Sequence, residues 1–106
     1  MPRKPFHIVF DVEIHRHLQA IERKYHSLIR SAIQQQLRFD PLTETRNRKR
    51  LIGENELEAR WEIRFGPDNR FRVLYSVDED DLKVIVLAIG VKQGNQLIVG
   101  DEELKL

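Results

Sequence analysis

Three patterns in the chain predict an α+β fold, with a helical hairpin on one face of a mainly antiparallel, twisted sheet. Apolar residues recur at three- and four-residue steps from Ile14 to Leu37. Two runs flanking a Gly-Pro-Asp-Asn turn, residues 60–65 and 70–75, alternate strictly between apolar and polar side chains. Residues 82–91 are almost continuously apolar and β-branched, as a strand buried on both faces requires. The 106 residues suit one domain spanning 1–106, and 41% hydrophobic residues can form a modest core.

Element by element, residues 5–10 read as a short strand. Asp11 suits a helix N-cap, and Glu13 in the first turn suits the positive end of the helix dipole. The stripe that follows contains Ile14, Leu18, Ile21, Tyr25, Leu28, Ile29, Ala32, Ile33 and Leu37. It is long for a single helix, so a hairpin bending near Glu22 to Lys24 is the more compact reading. Pro41 ends the helical part, because the residue before a proline is pushed out of the α region. Residues 42–56 form a long polar connection holding Arg46-Asn47-Arg48-Lys49-Arg50. Strands 57–65 and 71–77 follow, then an acidic turn at 78–81 and the buried strand. The tail holds Gly94, Asn95, Gly100 and a short apolar piece, Leu97-Ile98-Val99.

Composition excludes several chemistries. There is no cysteine, hence no disulfide framework, thiolate zinc site or cysteine nucleophile. His15 and His17 lie two apart on a helix and do not face each other, so exposed surface histidines are expected and no metal site is. No cofactor is expected either. The net charge is only +1, but basic residues gather at 46–50 and acidic ones at 78–81 and 101–103, which polarises the molecule. The apolar piece after Met1-Pro2-Arg3-Lys4 is too short for a signal peptide, and no run approaches a membrane span. A cytoplasmic protein without membrane association is the expectation.

The alternation sets the chemistry. Ala59, Trp61, Ile63 and Phe65 point one way, and Arg60, Glu62 and Arg64 the other; Phe71, Val73, Tyr75 and Val77 oppose Arg72 and Ser76. Trp61 and Tyr75 therefore read as core. If the turn pairs Phe65 with Phe71, Arg64 faces Arg72, and two like charges directly opposite are destabilising. Glu62, diagonal to Arg72, can compensate through a surface ion pair of about 0–1 kcal/mol. Alternatively the two arginines form a phosphate seat, since guanidinium forks match phosphate oxygens. Cleavage of RNA by its own 2′-hydroxyl needs such a seat, because charge builds on the phosphoryl oxygens. Glu62 is the one carboxylate among the strand arginines and a candidate base, and Lys92 ends the buried strand within reach of the same surface. The run Arg46, Arg48, Lys49, Arg50, together with Arg60, is either solvated or tracks a nucleic-acid backbone.

On these residues the chain resembles the RelE/ParE superfamily of type II toxin–antitoxin toxins. The resemblance spans nearly the whole chain and rests on Trp61-Glu62-Ile63-Arg64, Arg72-Val73-Leu74-Tyr75-Ser76-Val77-Asp78 and Val86-Leu87-Ala88-Ile89-Gly90-Val91-Lys92. It implies a compact microbial-ribonuclease-type fold and neutralisation by a cognate antitoxin that wraps the toxin. RelE-like members cleave messenger RNA in the ribosomal A site without a metal, whereas ParE-like members inhibit DNA gyrase. Carried over, Arg72 matches the arginine on the scissile phosphate, Arg64 a basic strand position, and Lys92 a position that is typically arginine. Glu62 stands where RelE has a second lysine, and Ile98 near an expected catalytic tyrosine. The resulting reading is an endoribonuclease using Arg72, Arg64, Lys92 and Glu62. A gyrase inhibitor, or a degenerate toxin that only binds its antitoxin, is the alternative.

Overall fold

The computed structural model describes residues 4–106; the Met1-Pro2-Arg3 part of the signal-peptide reading lies outside the described residues. The order is β1 (His7–Phe10), α1 (Ile14–Gln19), a 3-10 turn (Arg23–Tyr25), α2 (His26–Leu37), β2 (Arg48–Arg50) and β3 (Trp61–Phe65). A second 3-10 turn (Pro67–Asn69) leads to β4 (Phe71–Asp78), β5 (Lys83–Gln93), β6 (Gln96–Val99) and β7 (Glu102–Leu104). The sheet runs β2-β3-β4-β5-β6-β7 with antiparallel neighbours, and β1 adds to β5 in parallel. Among the described residues no helix is long and apolar enough to cross a membrane.

The apolar helical stripe bends where expected. Glu22 takes an extended conformation (φ −54°, ψ 136°), which breaks the helix without glycine or proline. Ile14, Ile21, Ile29, Ile33 and Leu37 then pack on Trp61, Ile63, Phe71, Val73, Tyr75, Val84, Val86 and Ile89, all on one sheet face. Asp11 caps less directly than expected. Its Oδ1 accepts the Glu13 N–H at 3.0 Å, but the helix begins at Ile14 and Glu13 is the cap residue.

The connection at 42–56 is not all loop. Arg48–Arg50 pairs antiparallel with β3 as an edge strand. The tail likewise forms two strands, β6 and β7, joined by a turn in which Gly100 and Asp101 both have positive φ. The strand begins at Trp61 rather than Leu57, and Ala59 does not share the face of Trp61 as the alternation suggests. Glu58 is left-handed (φ 58°), and Ala59 packs with Leu74, Ala88 and Val99 on the face away from the helices.

The unbroken apolar run of β5 has a specific cause. A bulge pairs Leu74 with Ala88 but Tyr75 with Val86, so Leu87 is extra and the side-chain phase flips there. Val84 and Val86 before the bulge, and Ile89 after it, all reach the helical core. β1 and β6 line the same edge of β5, opposite its 83–86 and 91–93 ends, and leave a gap between them. His17 fills the gap. It is buried rather than exposed, and its Nδ1 accepts the Ile89 N–H at 3.3 Å. That bond needs a neutral ring, and burial, then Arg16, lowers the affinity of His17 for a proton.

A depressed histidine pKa means that the unfolded chain binds the proton first as pH falls. His17 thus supports full stability above about pH 6.5, the ordinary histidine value, and loses it progressively below. His17→Gln keeps an acceptor for Ile89 but cannot titrate. Melting curves from pH 8 to 5 should show a shallower acid-side loss for the variant; an unchanged slope counts against this role.

Candidate phosphate-binding cleft

β3 and β4 meet in the predicted register: Phe65 opposes Phe71 and Arg64 opposes Arg72. The turn between them depends on Gly66, whose φ of +82° suits glycine and where a Cβ would collide with the Phe71 ring. The face away from the helices carries Glu62 and Arg64 from β3, Arg72 from β4 and Lys92 from the end of β5. At the other end of that face lies the apolar cluster around Leu74 and Ala88.

The like charges are compensated by Glu62. One of its oxygens, Oε1, accepts Arg64 Nε at 2.8 Å and Arg72 Nη1 at 3.4 Å. This is not the surface pair the alternation suggests, because the side chains of Glu62 and Arg72 are only 6% and 9% exposed. Arg64 remains 40% exposed and presents the rest of its fork to solvent. Arg72 Nε also donates to Asn69 O at 3.0 Å, which ties the arginine to the turn. Burial lowers the proton affinity of Arg72, Glu62 opposes that and Arg64 adds to it; a guanidinium stays charged regardless.

Beside this triad lies a shallow cleft of about 360 Å³ lined by Asp68, Arg70, Arg72, Lys92 and Gly94. Arg70 stacks 5.9 Å from the Tyr25 ring centre, a cation–π contact from the helical layer. The Lys92 N–H donates to Arg70 O at 2.7 Å, which joins the two walls. Gly90 lets β6 approach, since a Cβ there would lie 2.8 Å from Ile98 O. Ile98 pairs with Val91 and Leu97 with Lys92, so Leu97 is the β6 residue beside the cleft's lysine. Three cations around one opening can hold a phosphodiester.

The fold corresponds to that of a chain in the crystal structure of the toxin–antitoxin complex RelBE2 from Mycobacterium tuberculosis. The TM-score is 0.61 at 21% identity, over 83% of this chain and 99% of that one. This is the RelE-like fold. No protein-family model matches the chain, and no curated protein matches it significantly.

Within the RelE-like sheet the basic run 46–50 divides. Lys49 is exposed and sits opposite Glu62 in register, on the face of the cleft, and Arg60 is exposed just before β3. Arg46 is exposed in the turn before β2, and Arg50, opposite Trp61, projects to the other side. Arg48 is no nucleic-acid contact: it is buried at 4% exposure. Its guanidinium donates to Gln36 O at 2.7 Å, Gln36 Oε1 at 2.8 Å and Thr43 O at 3.0 Å. It satisfies a carbonyl near the end of α2 and lies beside Tyr75, whose hydroxyl donates to Pro41 O at 2.7 Å. Burial pushes the Tyr75 phenol far above its usual value. Trp61 and Tyr75 are core, stacked with centroids 6.3 Å apart.

Arg48→Ala should therefore cost about 2–4 kcal/mol of stability, since it orphans buried acceptors. Denaturant unfolding measures this directly, and a loss under 1 kcal/mol would remove Arg48 as the tie between α2 and β2. Asp68 and Arg70 were missed by sequence reasoning. Gly-Pro-Asp-Asn reads as turn chemistry, which hides the one aspartate that the turn delivers into the cleft.

Proposed function

We propose that the protein is the toxin of a toxin–antitoxin pair and an endoribonuclease acting on ribosome-bound messenger RNA. The observation that carries this reading is the opposed Arg64–Arg72 pair, held by Glu62 at the mouth of a cationic cleft, on a RelE-like fold. Arg72 and Arg64 hold the scissile phosphate, Lys92 and Arg70 close the cleft, and Lys49 and Arg60 follow the strand beyond it. Glu62, nearly enclosed between two guanidiniums, acts as the anion that positions them rather than as a base. Purified protein added to translating ribosomes should release messenger RNA cut at discrete A-site positions. Intact messenger RNA together with blocked DNA supercoiling by gyrase would replace this reading with the inhibitor reading. One feature favours that second reading: Glu62 already neutralises one of the two strand arginines.

The antitoxin reading has a surface of its own. Among the described residues β1 pairs only with β5, so its outer edge is open beyond the Phe6 N–H, which donates to Arg38 O. Next to it an apolar groove of about 330 Å³ runs between Phe10, Val12, Ile14, Leu18, Ile29 and Ile33, with His15 and Arg30 in its wall. An extended or amphipathic antitoxin segment with apolar and acidic side chains fits such an edge and groove. Val12 is 91% exposed, so Val12→Asp leaves the fold intact. It should weaken capture of the antitoxin encoded by the neighbouring gene by about tenfold, roughly 1.4 kcal/mol. Unchanged titration of the pair would place the antitoxin elsewhere.

A further inference from the structure

The cleft has two carboxylates beside Arg72, and their situations are opposite. Glu62 is enclosed and bonded to both strand arginines. Asp68 is exposed, lines the cleft with Arg70, Arg72 and Lys92, and its side chain has no hydrogen-bond or ion-pair partner among the described residues. We propose that Asp68 is the proton acceptor for cleavage; this rests on the ribonuclease reading above.

The turn fixes Asp68 relative to the phosphate-binding arginine. Asp68 (φ 55°, ψ 26°) and Asn69 (φ 51°) are consecutive left-handed residues, a backbone that most side chains avoid. The surroundings enforce it. The Asn69 N–H donates to Gly66 O at 2.9 Å, and the Arg70 N–H donates to Pro67 O at 3.1 Å. Arg72 Nε closes the loop by donating to Asn69 O, the carbonyl next along from Asp68. Strain of this kind gathers at functional sites. Here it places a free carboxylate one residue from the carbonyl that aims Arg72.

The step balances without a metal or external reagent. The 2′-oxygen bonds to phosphorus as its proton passes to the Asp68 carboxylate. Arg72 and Arg64 donate to the non-bridging oxygens. The bond from phosphorus to the 5′-oxygen breaks, and that oxygen takes a proton from the Lys92 ammonium. A 2′,3′-cyclic phosphate and a 5′-hydroxyl result.

Asp68→Asn separates this role from a structural one. Asparagine adopts left-handed conformations readily, so the turn and the melting temperature should be retained. Removing a negative charge from a cationic cleft should leave inorganic phosphate bound at least as tightly and KM no higher. Over the same comparison kcat on translating ribosomes should fall by about 10²–10⁴-fold. Asp68→Glu should restore part of the rate. Asp68→Asn cutting at the wild-type kcat overturns the proposal and leaves the ribonuclease reading standing. Wild-type protein that leaves messenger RNA uncut removes both.

Discussion

Arg72→Ala is expected to abolish growth arrest and to slow messenger-RNA cleavage by about 10²–10³-fold, the usual cost of one donor to developing transition-state charge. Of the two opposed arginines, Arg72 is the one whose side chain is fixed from two sides, by Glu62 and by Asn69 O. Its fork is therefore organised before substrate arrives, and the variant removes that organised donor together with its charge. Lysine cannot substitute, because one ammonium cannot replace two guanidinium nitrogens aimed at separate acceptors. Arg72→Lys should be nearly as impaired as Arg72→Ala. Arg64→Ala should lose less, since Arg64 is bonded at Nε alone and is 40% exposed. Glu62 keeps Arg64 as partner in Arg72→Ala, so the variant stays folded. A folded Arg72→Ala that still arrests growth would remove the cleft as the toxic site.

This register was legible in the sequence because two constraints agreed. Strict alternation from Trp61 onward fixed which face each residue takes, and the short turn left one pairing that keeps both apolar faces together. The helical bend was legible from stripe length alone. What was hidden follows physical rules too. β2 is a polar edge strand, Arg48-Lys49-Arg50, with no apolar period to betray it. The inward turn of Arg48 depends on a helix carbonyl twelve residues back in the chain, which no local pattern encodes. His17 is buried because the gap between β1 and β6 leaves the Ile89 N–H in need of an acceptor, a fact of topology rather than of the helix. The bulge at Leu87 could not be separated from an ordinary buried strand, since both read as unbroken apolar sequence. At the site, composition pointed to Glu62 as the base. Only the three-dimensional arrangement shows that Glu62 is committed to two arginines while Asp68 is not.

Glu62→Ala should be the most destabilising change at the site, at about 3–5 kcal/mol. It leaves Arg64 and Arg72 opposed across the ladder, with Arg72 buried and without its counter-ion. In a chain of this size the loss corresponds to a fall in Tm of roughly 15 °C or more. Glu62→Gln retains a hydrogen-bond acceptor and should lose less, but it too leaves the second cation uncompensated. The charge argument makes a further demand. Removing Arg72 from the Glu62→Ala background deletes the buried unpaired cation, so the double variant should be more stable than Glu62→Ala alone. A mere packing defect would instead add the two losses. Chemical unfolding of the four proteins in this cycle distinguishes the cases. Simple additivity would mean that Glu62 is spatially close to the arginines without being the anion that holds them apart. A coupling of about 1 kcal/mol or more would make Glu62 the keystone of the clamp, and would explain why a carboxylate stands between two opposed arginines.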